Sequence, residues 1–381
     1  MKRWTTATLL LAVCLPVSTG ACGSDSRPAA TASPAASAPG TEAWDRLLAL
    51  AAPGQWRGQG EETVEVWVCR VPAGSTAAEY GQLPLRLDLT AAAVAAAVAP
   101  LTSYFDQLSL GAYRPMFMAG GEVDLGPADG PSACVDAVLA AAQGSSAEVV
   151  LAVANAEHAE GVSGGMGSGG DPCPSAPPCP AAQSRRYAYV GGNDFHPDWG
   201  ANPPLDLVAH ELGHTVGLVH SGYDPVAAQP YLSGLDVMSN SAAAREVQPE
   251  RRDAPGTLAV QRLIAGWMAA EDAVWVADAA AGGEIVLAPS SAVDGTRLLL
   301  LADGDAVLTI EVLTADGLDA HLPHDGVAVH RVTVSGADVE IEPLVGVPAD
   351  GLVQPGEQAT TAGWRITVGD GWHLTIEAVA A

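Results

Sequence analysis

The spacing of hydrophobic and polar residues follows two different patterns along this chain, and the change between them lies near residue 273. Before that point, apolar residues recur at the three- and four-residue spacing of a helix face, as at Leu205, Val208, Leu212 and Val216. After it, short runs of Val, Ile, Leu and Thr alternate with Gly, Asp and Pro, as expected of strands joined by turns. The pattern therefore predicts an α+β protein, in which a mixed α/β part precedes an all-β part.

Five elements are predicted upstream of the helix that contains Leu205 to Val216. Along the chain they are a strand over 63–71, a helix over 91–108, a helix over 134–143, and strands over 148–154 and 187–191. A loop rich in Gly and Pro, residues 161–180, separates the last two strands. Long loops of this kind usually shape access to a site or bind substrate.

The part after residue 273 is predicted to be a β-sandwich, because its strands are short and the turns between them are frequent. The expected strands lie at 284–287, 297–301, 307–313, 327–334, 339–343, 364–368 and 372–378. Four histidines in this part, His321, His324, His330 and His373, lack the spacing of metal ligands. We expect them, like His158 and His196 upstream, to be surface or core residues.

The helix around residue 210 has recognisable start signals and two chemically different faces. Asn202 is a candidate N-cap, Pro203 suits the first helical position, and Asp206 places a negative charge in the first turn. The apolar stripe lies opposite His210 and His214 on a helical wheel. One face is therefore expected to enter the core while the other faces a cleft.

That cleft face carries a chemically specific sequence, His-Glu-Leu-Gly-His-Thr-Val-Gly-Leu-Val-His, which begins at His210. His210 and His214 are about one helical turn apart, so both imidazoles can reach one zinc ion. Glu211 can take a proton from a water molecule at that ion. Gly217 can adopt the left-handed conformation and end the helix, which lets His220 return as the third ligand. Incidental polar residues on an amphipathic helix are the weaker alternative.

The motif resembles that of the metzincin zinc endopeptidases, which share H-E-x-x-H-x-x-G-x-x-H and a tight turn containing methionine. A candidate turn is Leu-Asp-Val-Met-Ser, where the resemblance implies that Met238 forms an apolar floor beneath the imidazoles. Some metzincins carry a tyrosine ligand two residues after this methionine, but Asn240 stands there in this chain. The resemblance implies a metzincin-like catalytic domain, with a mixed sheet whose edge strand pairs with an extended substrate by β-augmentation.

Three weaker stretches narrow the resemblance to the secreted gametolysin and immune-inhibitor-A-like metallopeptidases. Residues 104–111, Tyr-Phe-Asp-Gln-Leu-Ser-Leu-Gly, look like the end of their early helix. Residues 263–267, Leu-Ile-Ala-Gly-Trp, look like the segment that closes their catalytic domain, and residues 311–330 look like their C-terminal β-domain. Together with the zinc motif, the likeness extends over most of residues 60–381.

The N-terminus has the features of an export signal. Basic Lys2 and Arg3 precede an apolar stretch and then small residues, so residues 1–21 are expected to be a signal peptide. Small residues before Cys22 resemble a bacterial lipoprotein cleavage site, although Thr19 departs from its usual aliphatic residue. We therefore expect a protein lipidated at Cys22 on the outer face of the cytoplasmic membrane, with soluble secretion as the alternative. Residues 22–42 form the expected low-complexity tether.

The tether leads into an expected metallopeptidase domain over 43–272 and the β-sandwich domain over 273–381. Four cysteines remain after the signal and Cys22 are set aside, and in an exported chain they predict two disulfides with three possible pairings. We favour Cys69 with Cys134 and Cys173 with Cys179. The alternatives are a latency switch, in which Cys69 binds the zinc, and a metal site at Cys173 and Cys179.

Charge and motif together narrow the functional classes. The formal net charge of −27 and the absence of a basic cluster argue against nucleic-acid binding. The sequence therefore predicts a monomeric zinc endopeptidase acting on protein or peptide substrates, tethered to the membrane only by its lipid. One zinc ion is expected, and nothing indicates structural Ca²⁺. The main alternative is a catalytically silent zinc-containing surface protein that binds partners through its β-domain, and hydrolysis of a non-peptide bond is a third.

Overall fold

The computed structural model describes most of the chain after residue 40. It covers residues 41–52, 57–80, 87–159, 162, 164–170, 185–223, 231–277, 282–336, 338–344, 347–361 and 363–379, which belong to one compact unit. The expected signal peptide, Cys22, and the pair Cys173 and Cys179 lie outside the described residues and stay predictions. None of the described helices has the length and apolar character needed to cross a membrane.

A five-stranded sheet organises the first part of the chain. Its strands are β1 (Gly60–Arg70), β2 (Tyr113–Asp124), β3 (Val149–Ala154), β4 (Gly165–Ser168) and β5 (Arg186–Val190). In space they follow the order β2-β1-β3-β5-β4. Strands β2, β1, β3 and β5 are parallel to one another, and β4 pairs antiparallel with β5 at one edge. Strand β3 is buried along its whole length, as its uninterrupted apolar sequence requires when both faces of a sheet are covered.

Helices cover both faces of this sheet. The α-helices are α1 (Thr41–Leu50), α2 (Ala91–Val98), α3 (Leu101–Leu108), α4 (Pro131–Ala141), α5 (Asp206–Thr215), α6 (Ala243–Val247) and α7 (Ala259–Ile264). Side chains of α2, α3 and α5 form one buried cluster with one face of the sheet. Helix α4 contributes to a second cluster with residues of the opposite face.

The single helix expected over 91–108 is wrong, because Pro100 divides it. Helix α2 ends at Val98 and α3 starts at Leu101, with Pro100 at the N-cap position of α3. Proline has no backbone N–H and its ring collides with the preceding turn, so it ends a helix far more readily than it continues one.

Cys69 in β1 and Cys134 in α4 form a disulfide, with their Cα atoms 5.8 Å apart. This confirms the favoured pairing of these two residues. Since the sulfur of Cys69 is bonded to Cys134, the alternative in which Cys69 binds the zinc as a latency switch is wrong. The bond ties the central sheet to the helix that covers one of its faces.

The second part of the chain is made of two further sheets. Their strands are β6 (Ala273–Val276), β7 (Gly283–Val286), β8 (Leu298–Asp303), β9 (Ala306–Leu313), β10 (Gly326–Ser335), β11 (Asp338–Pro343), β12 (Leu352–Val353), β13 (Gln358–Thr360), β14 (Trp364–Val368) and β15 (His373–Ala378). The first sheet has the order β11-β10-β9-β8-β6 with β12 beside β10, and the second has the order β13-β14-β15-β7. Buried side chains from both sheets form one shared cluster. The α+β class is thus confirmed.

Helix α1 packs on the outer face of the larger C-terminal sheet. Leu47 is fully buried, and Trp44 stacks on Trp275 of β6 with ring centroids 5.5 Å apart. The same cluster includes residues of α7 and Leu235. The start of the expected peptidase segment therefore covers the C-terminal sheet, and residues 41 and 42, expected in the tether, belong to this helix.

Candidate metal centre

The histidine-bearing helix α5 begins later than the sequence suggested. Asp206 is its first residue and lies in the first turn as expected, but Leu205 holds the N-cap position instead of Asn202. The reason is the pair Pro203 and Pro204, because a residue that precedes proline is pushed out of the helical conformation. Both Asn202 and Pro203 precede a proline, so neither can begin the helix.

The end of α5 follows the expected course. Gly217 has a φ of +90°, which a residue with a side chain rarely adopts. The amide of Leu218 donates to the carbonyl of Gly213 at 3.1 Å and closes the last turn. The chain then reverses, and His220 comes back to the two histidines of the helix.

Three imidazole rings converge at this turn. The Nε2 atoms of His214 and His220 are 2.9 Å apart, and the ring centroid of His210 lies 5.0 and 5.3 Å from those of His214 and His220. One ring nitrogen from each residue lies within 4.8 Å of the other two. Among the described residues, this is the group of three His, Cys, Asp or Glu side chains that is arranged to hold a metal ion.

The second nitrogen of two of these rings is bonded to the backbone. His210 Nδ1 lies 2.8 Å from the carbonyl of Val237, and His214 Nδ1 lies 3.1 Å from the carbonyl of Leu218. A carbonyl oxygen only accepts, so each Nδ1 carries the proton and each Nε2 keeps its lone pair. Carbonyl partners of this kind orient the histidine ligands of metals. Three neutral imidazoles fit a zinc ion that keeps a further position open for water.

Burial keeps these rings neutral. It lowers the pKa of His210, and together with the neighbouring His210 and His220 rings it lowers the pKa of His214 to about 3. Burial also lowers the pKa of His220 to about 4. Metal ligands must be deprotonated, so a site of this kind binds a cation without first releasing protons at neutral pH.

Glu211 lies beside the ligands in a similarly dry environment. Burial raises the pKa of its carboxyl group to about 8, and its side chain is 5 % exposed. A carboxyl whose pKa lies near neutrality can both take up and return a proton during a reaction. At neutral pH this value leaves the carboxyl mostly protonated, and a cation held by the three imidazoles would lower its pKa towards the ionised form that accepts a proton.

Met238 packs directly beneath this part of the helix. Its side chain is fully buried, and its sulfur lies so close to Gly213 that a Cβ atom there would approach it to 2.6 Å. The preceding residue, Val237, supplies the carbonyl that holds His210. The segment expected to form the methionine turn therefore contacts the histidine helix through both its side chain and its backbone.

Buried Asp236 holds this segment in place, and the sequence analysis missed it. Its carboxylate accepts hydrogen bonds from the hydroxyl groups of Ser221 and Thr257 at 2.7 and 2.8 Å, and from the amide of Met238 at 3.1 Å. Ser221 follows His220 directly, so one carboxylate connects the third histidine with the methionine segment. A charged residue among Leu235, Val237 and Met238 was the only local signal of this role.

The edge strand β4 lies directly against the histidine helix because it carries glycines. A Cβ atom at Gly165 would come within 2.7 Å of the Glu211 side chain, and one at Gly167 would come within 2.7 Å of His214 Cβ. Only residues without a side chain permit this approach. The strand thus forms one wall of the cleft beside Glu211.

A cavity of about 310 Å³ opens beside the histidines. Its lining consists of Gly164, Leu207, His210, Glu211, Tyr231, Ser239, Asn240 and Ser241. Two larger cavities, of about 550 and 540 Å³, lie elsewhere and are lined by none of the three converging histidines. The smaller cavity is the candidate site because Glu211 and His210, one of the three converging histidines, line it.

Tyr231 is a second residue of the site that the sequence analysis missed. Its hydroxyl lies 3.4 Å from His220 Nε2, and its ring stands edge-on to those of His220 and His210 at centroid distances of 5.1 and 6.0 Å. Tyr231 belongs to the connection between His220 and Met238, where no repeating pattern marks an element. Only folding brings it to the imidazoles.

The remaining histidines take no part in this cluster. His158 contacts the Tyr189 hydroxyl at 2.7 Å, and His196 lies 3.8 Å from Glu157 and 3.4 Å from Asp198. His321 and His330 are buried in the C-terminal part, while His373 is exposed.

Comparison of the chain with models of protein families and with curated proteins gave no match. The interpretation of the site thus depends on its own geometry and motif.

Proposed function

We propose that this protein is an exported zinc-dependent endopeptidase of metzincin type, resembling the gametolysin and immune-inhibitor-A-like group. The observation that carries the proposal is the convergence of His210, His214 and His220 beside Glu211 at an open cavity. Of these residues, His210, His214 and His220 would hold the ion. Zinc, when bound, supplies positive charge that polarises a water molecule and the substrate carbonyl.

The chain's own groups would carry out the proton transfers. Glu211 accepts a proton from the attacking water and then donates it to the nitrogen of the departing amine. Its buried position keeps bulk water from competing for that proton. Met238 would serve as the apolar floor that fixes the helix beneath the imidazoles.

Substrate alignment would fall to the edge strand β4. One side of β4 pairs with β5, and its glycines lie against Glu211 and His214. The resemblance to the metzincins implies that an extended peptide aligns beside this strand and the catalytic glutamate, with backbone hydrogen bonds that tolerate many side chains. This geometry favours unfolded or flexible protein segments as substrates.

The wider biological setting belongs to the same proposal. The expected N-terminal signal and Cys22 support a lipid-tethered protein on the outer side of the cytoplasmic membrane, and the C-terminal sheets would correspond to the β-domain of the resembled group. The observed Cys69–Cys134 disulfide suits an oxidising compartment. We propose a monomer that acts on protein and binds no nucleic acid.

The test is hydrolysis of unfolded casein by the zinc-loaded protein and by its Glu211→Gln variant, with zinc content measured for both. Glutamine keeps the size of the side chain but cannot accept the proton, so we expect the rate to fall at least 100-fold at unchanged zinc content. Glu271→Gln, which alters an exposed glutamate, is the matched control. Equal rates for parent and Glu211→Gln would exclude Glu211 as the base, and a parent that binds zinc without cleaving would favour the silent binding protein.

A further inference from the structure

Tyr231 occupies a position that the proposed mechanism does not yet use. Its hydroxyl lies 3.4 Å from His220 Nε2, the ring nitrogen that is 2.9 Å from His214 Nε2. The same side chain lines the cavity that contains Glu211 and His210. A substrate carbonyl placed at this centre would therefore lie next to the phenol.

Among the described residues no Lys or Arg lines this cavity, so the protein offers neutral hydrogen-bond donors to negative charge that develops there. Two of the lining side chains also have partners outside the cavity: Ser239 Oγ accepts from the Ser233 amide, and Asn240 Nδ2 donates to Glu246. The Tyr231 hydroxyl is the donor that lies next to a candidate zinc ligand. A neutral O–H group pre-oriented towards a reacting oxygen is a strong means of stabilising a transition state.

The backbone conformation of Tyr231 also indicates a functional role for this residue. Its φ is +61°, in the left-handed region that bulky L-residues avoid at a cost of roughly 1 kcal/mol or more. The side chain is 42 % exposed, so core packing does not account for this conformation. Observed strain at a partly exposed residue beside a cluster of ligands is typical of a functional constraint.

We propose that Tyr231 is a catalytic residue whose hydroxyl donates a hydrogen bond to the scissile carbonyl oxygen as that oxygen becomes negative. This inference rests on the proposed peptidase function. The water oxygen bonds to the carbonyl carbon, its proton moves to Glu211, and the carbonyl π electrons move to the oxygen that Tyr231 faces. When the carbonyl re-forms, the C–N bond breaks and the amine nitrogen receives the proton from Glu211. Tyr231 keeps its own proton throughout.

The experiment compares Tyr231→Phe with the matched control Tyr223→Phe, which removes a hydroxyl from another exposed tyrosine nearby in the chain. For Tyr231→Phe we expect kcat to fall about 100- to 1,000-fold, the usual effect of losing one oxyanion donor. We expect KM and zinc content to stay within about threefold, because the ring remains and the interaction forms only in the transition state. The control should match the parent in every measurement.

A binding measurement separates this role from the others. A phosphinic peptide, whose tetrahedral anionic oxygens imitate the transition state, is titrated calorimetrically into each zinc-loaded protein. We expect its affinity for Tyr231→Phe to fall by the same factor as kcat/KM. Unchanged phosphinate affinity and unchanged kcat would overturn the proposal. A parallel loss of zinc affinity would also overturn it, because Tyr231 would then be a metal ligand.

Failure of the proposed function gives a different result. A parent protein that binds the phosphinic peptide but cleaves no peptide would contradict the peptidase, while weaker phosphinate binding by Tyr231→Phe would still support the role of the hydroxyl. A zinc-loaded parent that binds no phosphinate would overturn both proposals.

Discussion

Two sets of histidines lie in the two parts of this molecule, and they differ in how their rings are arranged. His210, His214 and His220 converge on one point, whereas His321 and His330 in the C-terminal part belong to no such cluster. Burial lowers the pKa of His330 to about 4, as it does for His220. A lowered pKa therefore does not distinguish the candidate metal ligands from a core histidine in this protein. The two sets differ in the convergence of their ring nitrogens.

The two sets of histidines also differ in the hydrogen-bond partners of their ring nitrogens. Carbonyls hold the Nδ1 atoms of His210 and His214 and leave each Nε2 directed at the other ligands. His321 instead donates from Nε2 to the carbonyl of Gly234 at 2.8 Å, and the Nδ1 atoms of His321 and His330 have no hydrogen-bond partner among the described residues. One set is oriented as ligands, and the other is accommodated in the interior.

The largest expected effect is the loss of metal from the converging set. Changes to groups that merely orient a ligand cost 10- to 100-fold in metal affinity, so His214→Ala, which removes a ligand, should weaken zinc binding by roughly 1,000-fold or more. Equilibrium dialysis against zinc measures this directly. In thermal unfolding, zinc at about 100 times its Kd should stabilise the parent by about 2.7 kcal/mol and leave His214→Ala unaffected.

The controls for this measurement come from the other set. His373→Ala, at an exposed position, and His330→Leu, at a buried one, should both bind zinc like the parent. If His330→Leu lost zinc while His214→Ala kept it, the distinction between the two sets of histidines would be wrong.

Features that depend on short stretches of sequence could be predicted. Spacing and turn residues predict which face of α5 carries the histidines, the left-handed turn at Gly217 and the strands of the C-terminal sheets. The pairing of Cys69 with Cys134 was the favoured one of three possible pairings, and it joins a predicted strand to a predicted helix start. Neighbouring prolines overrode the expected N-cap at Asn202, which is also a local effect and was open to prediction.

The parts that could not be predicted depend on contacts between distant segments. Nothing near Tyr231 in sequence indicates that its side chain contacts His220. The need for glycine at 165 and 167 is visible only once β4 lies against α5. The role of Asp236 could not be predicted either, because its hydrogen-bond partners Ser221 and Thr257 lie on either side of it in the chain, 15 and 21 residues away.

The second prediction concerns covalent support, which also differs between the two parts. Every cysteine of the chain precedes residue 180, so no disulfide supports the C-terminal sheets. The Cys69–Cys134 bond closes a loop of 65 residues in sequence separation. The double variant Cys69→Ala with Cys134→Ala should lower the free energy of unfolding by roughly 3 to 4 kcal/mol, mainly because the unfolded chain becomes less constrained.

Urea denaturation at equilibrium measures this difference. The parent should lose a similar amount of stability when a reductant is added, while the double variant should not respond through this bond. A double variant as stable as the oxidised parent would mean that the loop constraint contributes little to this fold.

The smallest expected effect tests the isolated histidine of the second set through its pH dependence. His330 has a pKa of about 4 in the folded protein, lowered by burial, and an ordinary value of about 6.5 when unfolded. Between these values the unfolded chain binds the proton and the folded chain does not, so the free energy of unfolding falls as the pH decreases. The contribution is full above pH 6.5, is reduced by about 2 kcal/mol at pH 5, and is reduced by about 3 kcal/mol near pH 4.

His330→Leu removes the titrating group while keeping an apolar side chain in the core. The difference in unfolding free energy between this variant and the parent should therefore shift in favour of the variant by about 2 kcal/mol from pH 7 to pH 5. His373→Gln, at an exposed position, should show no such shift. Urea titrations at both pH values on all three proteins give the comparison. A constant difference would mean that the folded protein binds a proton at His330 as readily as the unfolded chain does. Burial in the C-terminal part would then not hold this imidazole neutral.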